Sequence, residues 1–321
     1  MLLTAFFGHF AAITVAGIVL GGIFALTAVG IVLVYRVTGV LNLAQGAMGM
    51  FSTFMAWAVL HYWHPFAKTS NLAFSTPSSI VVAVAVALLF SLLLGLALEN
   101  LVFRWIRGRP PVVKTVVTVG ILLTLQSSAA LLFGSTQYHE AIQFFDSSRC
   151  PDTNLLCFTV VLGPIRFGYD QLLVVGATLL LATGLALFLR YARIGVAMRA
   201  VSDDAVAASL YGIPVNMIGS VSWMLGSLVA AVAGILLISI GVTFDTVSLT
   251  VLIVDGLAAA LIGGLVSLPL AVVGGFALGL LETYPKLWIS QSTGLPKVIA
   301  ILVILVVLML RSERSLLRAK T

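Results

Sequence analysis

The chain has 321 residues, of which 61% are hydrophobic and only 9% charged, against roughly 45–50% and about 25% in a soluble domain. With a mean hydropathy of +1.17 and repeated apolar runs able to cross a hydrocarbon core of about 30 Å, it is expected to be an all-α, polytopic membrane protein; a soluble enzyme, a disordered linker and a DNA-binding domain are excluded. Seventeen basic residues against eleven acidic ones, a formal +6, point in such a chain to cytoplasmic loops and not to nucleic acid.

The first apolar run covers residues 11–35 without a charge, and no Lys or Arg precedes it, so a retained span is expected and not a cleaved signal peptide. Gly21-Gly22 and Gly30 interrupt it, and its length suits one long tilted helix or a kinked pair. Further apolar segments follow at about 43–60, 80–98, 116–133, 171–189, 217–240, 249–265, 270–281 and 296–310. That makes a bundle of about nine spans, within a range of eight to ten, in a single transmembrane domain over residues 1–321 with broken, glycine-rich helices.

Orientation follows from the basic residues, because Lys and Arg in short loops stay on the cytoplasmic side. Arg104, Arg107, Arg109 and Lys114 lie between the third and fourth spans, Arg190, Arg193 and Arg199 between the fifth and sixth, and Arg311, Arg314, Arg318 and Lys320 at the C-terminus. Nine spans let all three groups face the cytoplasm, with the N-terminus outside and the C-terminus inside. Lys286 and Lys297 then fall outside, against the rule. The polar stretch 134–168 becomes an extracytoplasmic loop holding Cys150 and Cys157. In an oxidising compartment these two can close a short ring or stay as free thiols; no His or third Cys stands at a ligand spacing from them, so no metal is expected.

The cytoplasmic segment 192–216 carries the clearest local signals. Ser202 or Asp203 can cap a short helix, Asp203 and Asp204 suit its positive end, and Gly212 can end it in a left-handed conformation. Ala205, Ala207 and Ala208 would give that helix a smooth face, suited to a groove on another protein or to an ordinary interfacial position. Asp255 is a carboxylate inside an apolar run, which marks a functional site, an internal pair or, if the span begins later, an interfacial residue. In lipid, glycine lets helices pack closely, as along Gly275-x-x-x-Gly279, and permits breaks that line protein or a watery cavity. Asn42, Gln45, Gly46, Gly263 and Gly264 are therefore candidates for an unwound solute pathway, with plain helix packing as the alternative, and Asp255 is a candidate for the same pathway.

No G-x-x-x-x-G-K-[ST] occurs, and the soluble segments are too short for a nucleotide-binding domain, so any ATP must be hydrolysed by a partner. Neither H-E-x-x-H nor G-x-S-x-G is present, and neither an enzyme nor a cofactor within this chain is expected.

Three stretches resemble a known family. Ala207-Ala208 with Gly212 after three further residues resembles the Ala-Ala-x-x-x-Gly core of the coupling loop in permease subunits of ABC importers, and Arg199-Ala200, Leu210 and Gly212-Ile213 are similar to the version in the branched-chain amino acid permease family. Val206 replaces the Glu found in many importers, and a downstream Ile-x-Leu-Pro is absent. The run from Gly21-Gly22 through Gly30 to Asn42-Leu-Ala-Gln-Gly46 resembles that family's early pattern, with Gln45 in place of a more usual His. Gly263-Gly264-Leu-Val-Ser267, continuing to Glu282, resembles its C-terminal glycine run, with Val266 for a glycine. The resemblance implies a permease in the bacterial inner membrane that imports branched-chain amino acids or similar small amino acids and amides. It also implies a second related permease, two cytoplasmic ATPase subunits carrying ATP and Mg, and an extracytoplasmic solute-binding protein, with Arg199, Ala205, Ala207, Ala208 and Gly212 coupling to the ATPases. The competing expectation is an ATP-independent secondary transporter or channel using Asp255 as a proton or ion site.

Overall fold

A computed structural model describes residues 2–62, 77–106, 108–134, 159–162, 165–241, 245–287 and 294–318. The first apolar run forms one continuous helix, α1 (Leu2–Thr38), of 37 residues. At 1.5 Å per residue it is about 55 Å long, more than a bilayer's hydrocarbon core, so one long helix is formed and the kinked pair is not. It is followed by α2 (Gln45–Tyr62), α3 (Pro77–Leu98), a π-helical turn (Glu99–Phe103) and the short α4 (Arg104–Ile106), then α5 (Pro111–Phe133). After a two-stranded hairpin come α6 (Tyr169–Tyr191), α7 (Arg193–Asp203), α8 (Ala205–Leu210), α9 (Val215–Ser239), α10 (Ser248–Ile262), α11 (Leu268–Thr283) and α12 (Leu295–Arg318).

Each of the nine expected apolar segments coincides with one of these helices. Five described helices are long and apolar enough to cross a membrane, and α10, α11 and α12 carry shorter apolar stretches; α2 occupies the remaining segment. The chain is a multi-pass membrane protein. Helix α1 lies at the centre, 89% buried over its apolar stretch, and α9 beside it is 72% buried, whereas α5 is 11% buried and α6 17%. The outer helices thus turn rows of Leu and Val outward, among them Leu89 and Leu93 on α3, Val116 and Leu123 on α5 and Leu180 on α6.

Close backbone approach explains the centre. Helices α1 and α11 run against each other with no side chain between them at the glycines: a Cβ on Gly279 would collide with backbone atoms of Gly17 and Gly21, and one on Gly275 with those of Ala25. The face expected at Gly275-x-x-x-Gly279 is therefore used, and its partner is α1. Strands β1 (Thr159–Leu162) and β2 (Ile165–Gly168) pair antiparallel, Thr159 opposite Gly168 and Leu162 opposite Ile165, and add a small sheet to the all-α bundle within the polar loop 134–168. Cys150 and Cys157, and the pairing considered for them, lie outside the described residues.

Candidate functional site

Between α1 and α2 the chain unwinds, and buried side chains organise the break. Gly39 takes a positive φ of 66°. Asn42 Oδ1 accepts from the Ala44 backbone N–H at 3.1 Å, which starts α2, while Asn42 Nδ2 donates to Gln45 Oε1 at 2.9 Å. Gln45 Nε2 in turn donates to the Gly226 carbonyl on α9 at 2.7 Å. An amide suits this position because it accepts from one neighbour and donates to another at once. Thr118 of α5 completes the tie, its hydroxyl accepting from Leu43 N–H and facing the Leu41 carbonyl, both at 3.2 Å. Gln45 and Gly46 also border a void with Thr27, Gly49, Gly234 and Leu252. It measures about 10 Å³, room for one water, so the helices are closed around it. Asn42 holds the turn and does not reach this void.

Asp255 sits elsewhere. It is 1% exposed in the middle of α10 and forms an ion pair with Lys297 Nζ of α12, whose side chain is 41% exposed. The carboxyl of Glu282, buried near the end of α11, interacts with Asp255 as well. Of the readings open for Asp255, the internal pair is the one formed, and three helices meet on it. Neither Glu282 nor Lys297 was expected here. A signal was available in Lys297, whose expected place ran against the rule for basic residues; it pairs with a buried carboxylate. Gly263 and Gly264 are in a third place, the reversal between α10 and α11. Gly264 has φ 75° and Leu265 φ 59°, and Leu265 N–H bonds to the Ala260 carbonyl at 2.9 Å. The six residues expected to share a pathway therefore divide among a capped break, an ion pair and a tight turn.

The segment 192–216 folds as two helices. Its cap is Asp204, not Ser202 or Asp203: those two residues complete α7, and Asp204 then leaves the helical region with φ −154°. Its carboxylate accepts from Val206 N–H at 2.8 Å and Ala207 N–H at 3.0 Å, satisfying the first free donors of α8. Gly212 has φ 80° as expected, and Ile213 N–H closes back on the Ala208 carbonyl at 3.1 Å. The smooth alanine face is corrected. Ala208 turns inward and is 4% exposed, because the short helix needs one small residue against the bundle; Ala207 is half-buried and Ala205 exposed. What α8 offers outward is Val206 and Leu210, one turn apart, with Tyr211 beside them, the last two 84% and 88% exposed. Arg199 is exposed and donates to the Arg190 carbonyl at 3.2 Å, so it ties α7 to the end of α6.

A family model described as branched-chain amino acid transport system / permease component matches residues 13–308. The chain is 27% identical over 283 residues to the high-affinity branched-chain amino acid transport system permease protein BraD of Pseudomonas aeruginosa, covering 86% of each. It is 26% identical over 278 residues to LivH of Escherichia coli K12, a protein of the same description, with 85% of each covered. A probable branched-chain amino acid transport permease protein of Methanocaldococcus jannaschii is 25% identical over 283 residues, covering 86% of this chain and 81% of the relative. Among solved structures, PsaBC from Streptococcus pneumoniae in complex with Fab is similar at 14% identity and a TM-score of 0.47, over 91% of this chain and 89% of that one.

Proposed function

Because the chain belongs to the family of branched-chain amino acid transport system permease components, we propose that it is the membrane-spanning subunit of an ATP-driven importer of branched-chain amino acids or similar small amino acids and amides. Its partners on this reading are a second related permease, two cytoplasmic ATPase subunits holding ATP and Mg, and an extracytoplasmic solute-binding protein. The N-terminus and the hairpin then face outward. The Arg104–Lys114 region, α7, α8 and the C-terminus face the cytoplasm of a bacterial inner membrane, as the placement of Lys and Arg supports.

The observation that carries the reading is the exposed apolar patch of Val206, Leu210 and Tyr211 on a helix fixed at both ends, by Asp204 and by Gly212. Apolar side chains held outward on a segment that this reading places on the cytoplasmic side suit docking into a protein groove. Arg199 anchors the segment, while Ala205 and Ala207 allow close approach. ATP-driven movement of the docked α8 would pass through α7 and α9 to the bundle, whose closed void beside Gln45 and Gly46 marks where α2, α9 and α10 must part for a solute. In this scheme Asn42, Gly263 and Gly264 hold the helix breaks, and Asp255 fixes α10 to its neighbours. An ion-coupled mechanism is less well supported, since Lys297 already engages Asp255.

The test is leucine uptake into proteoliposomes containing the complete complex. Replacing Leu210 with Asp should cut uptake at least tenfold and reduce co-purification of the ATPases, with the permease still inserted in normal amount. Uptake at the wild-type rate in that variant, or uptake driven by an ion gradient without ATPase subunits, would overturn the reading.

A further inference from the structure

The buried Gln45 amide occupies a space that two other helices leave for it. A Cβ on Gly30 of α1 would collide with Gln45 Nε2, and a Cβ on Gly226 of α9 would collide with Val34 of α1. Glycine on both sides thus lets a side chain from α2 reach between α1 and α9, where its Nε2 donates to the Gly226 carbonyl. Asn42 fixes which way round the amide lies: by donating to Oε1 it leaves Nε2 as the end that meets Gly226.

This bond differs in kind from the contacts around it. Further along, α2 and α9 touch through Gly49 against the Ala230 carbonyl and Gly234 against Gly49, where close shape does the holding. A hydrogen bond has a fixed direction and weakens steeply once its partners move out of line. Its groups here are neutral, so water entering between parted helices can replace each partner, and breaking it has a small net cost. Separating Asp255 from Lys297 would instead strand charges. The Gln45 bond is therefore suited to being made and broken, and the ion pair to staying. Helix α9 follows α8 directly in the chain, so a pull on α8 is delivered to the helix that carries Gly226. We propose that the Gln45–Gly226 bond is a reversible latch of the closed arrangement, released when α9 moves, and that Asn42 and Gly30 are positioning residues that keep the amide aimed at it. The inference rests on the proposed function for the movement of α8, and it adds the bond that must break before α2 and α9 part. Losing one net hydrogen bond shifts a two-state equilibrium about fivefold, which sets the size of effect to look for.

The experiment reads opening directly. In the complete complex, with Cys150 and Cys157 replaced by Ser, Leu252→Cys puts a thiol at the Gln45–Gly46 void, and its modification by a small methanethiosulfonate reagent is timed in proteoliposomes without ATP. The reaction should be slow, and roughly fivefold faster once Gln45→Met removes the donor or Gly30→Ala displaces the amide. Gln45→His should restore the slow rate, since one ring nitrogen can accept from Asn42 while the other donates to Gly226. A thiol from Val19→Cys, buried nearer the start of α1, should stay slow throughout, which a general loosening of the bundle would not allow. Equal rates at Leu252→Cys with and without the Gln45 donor would overturn the latch, as would acceleration at both thiols alike or a His variant as fast as the Met one. If Gln45→Met does not insert, Gly30→Ala decides by the same criteria. ATP-driven leucine uptake by the wild-type complex is measured alongside, and its absence would instead overturn the proposed function beneath the inference.

Discussion

The contact of α1 with α11 and the exposed face of α8 use small and apolar residues for opposite ends. Along α1 and α11, glycines bring two backbones together until no added methyl fits, so specificity comes from shape. On α8 the single inward alanine, Ala208, serves packing, while the larger Val206, Leu210 and Tyr211 are left largely exposed by the described residues. The difference separates what holds the molecule together from what it offers to others. Substitutions in the first region should be read in stability, and those in the second in transport.

The largest effect is expected at Gly275→Leu. A side chain there must displace the backbone of α1 at Ala25, beyond the roughly 1–3 kcal/mol typical of overpacking, so the variant should fail to yield monodisperse protein in detergent. Recovery of wild-type yield and melting temperature would mean that α1 and α11 are less tightly apposed than described.

Next comes Lys297→Met, which leaves Asp255 buried without its cation. Breaking a fully buried pair costs about 3–5 kcal/mol; here Lys297 is partly exposed, and a loss of about 1–3 kcal/mol in thermal unfolding is expected. The double variant Asp255→Asn with Lys297→Met should recover most of it, because no lone charge remains. If the double variant is worse than the single one, the pair does more than neutralise itself, and Glu282 becomes the residue to examine.

The smallest effect on stability belongs to Gly212→Val, which should act on function instead. A β-branched residue at φ 80° costs about 1–3 kcal/mol locally, at the exposed end of α8 where no atom of the described residues lies within reach of an added Cβ. The melting temperature should move little while uptake drops severalfold, since the strain is relieved by re-aiming α8. A variant that melts normally and transports normally would remove α8 from the coupling path and weaken the contrast drawn above.

Much was legible without coordinates. Nine apolar segments, the glycine face on α11, the left-handed Gly212 and the break at Asn42 all follow from rules that act over a few residues: span length, Cβ sterics and local hydrogen bonding; Gln45 and Gly46, expected in the same unwound stretch, are instead the first residues of α2. The exact cap was missed by one or two residues, because Ser202, Asp203 and Asp204 are all competent and only the end of α7 selects Asp204. The facing of Ala208 was missed because a short helix of alanines has no polar contrast from which to read an inner side.

Tertiary structure alone decided which helices are central and which charges meet. Interior and lipid are both apolar, so hydropathy along α1 and α5 cannot distinguish a helix that is 89% buried from one that is 11% buried. Likewise Asp255 and Lys297 are 42 residues apart, and no local rule links them. Their pairing is fixed by α10, α11 and α12 coming together, where a carboxylate removed from water is held by whichever cation the packing brings within reach.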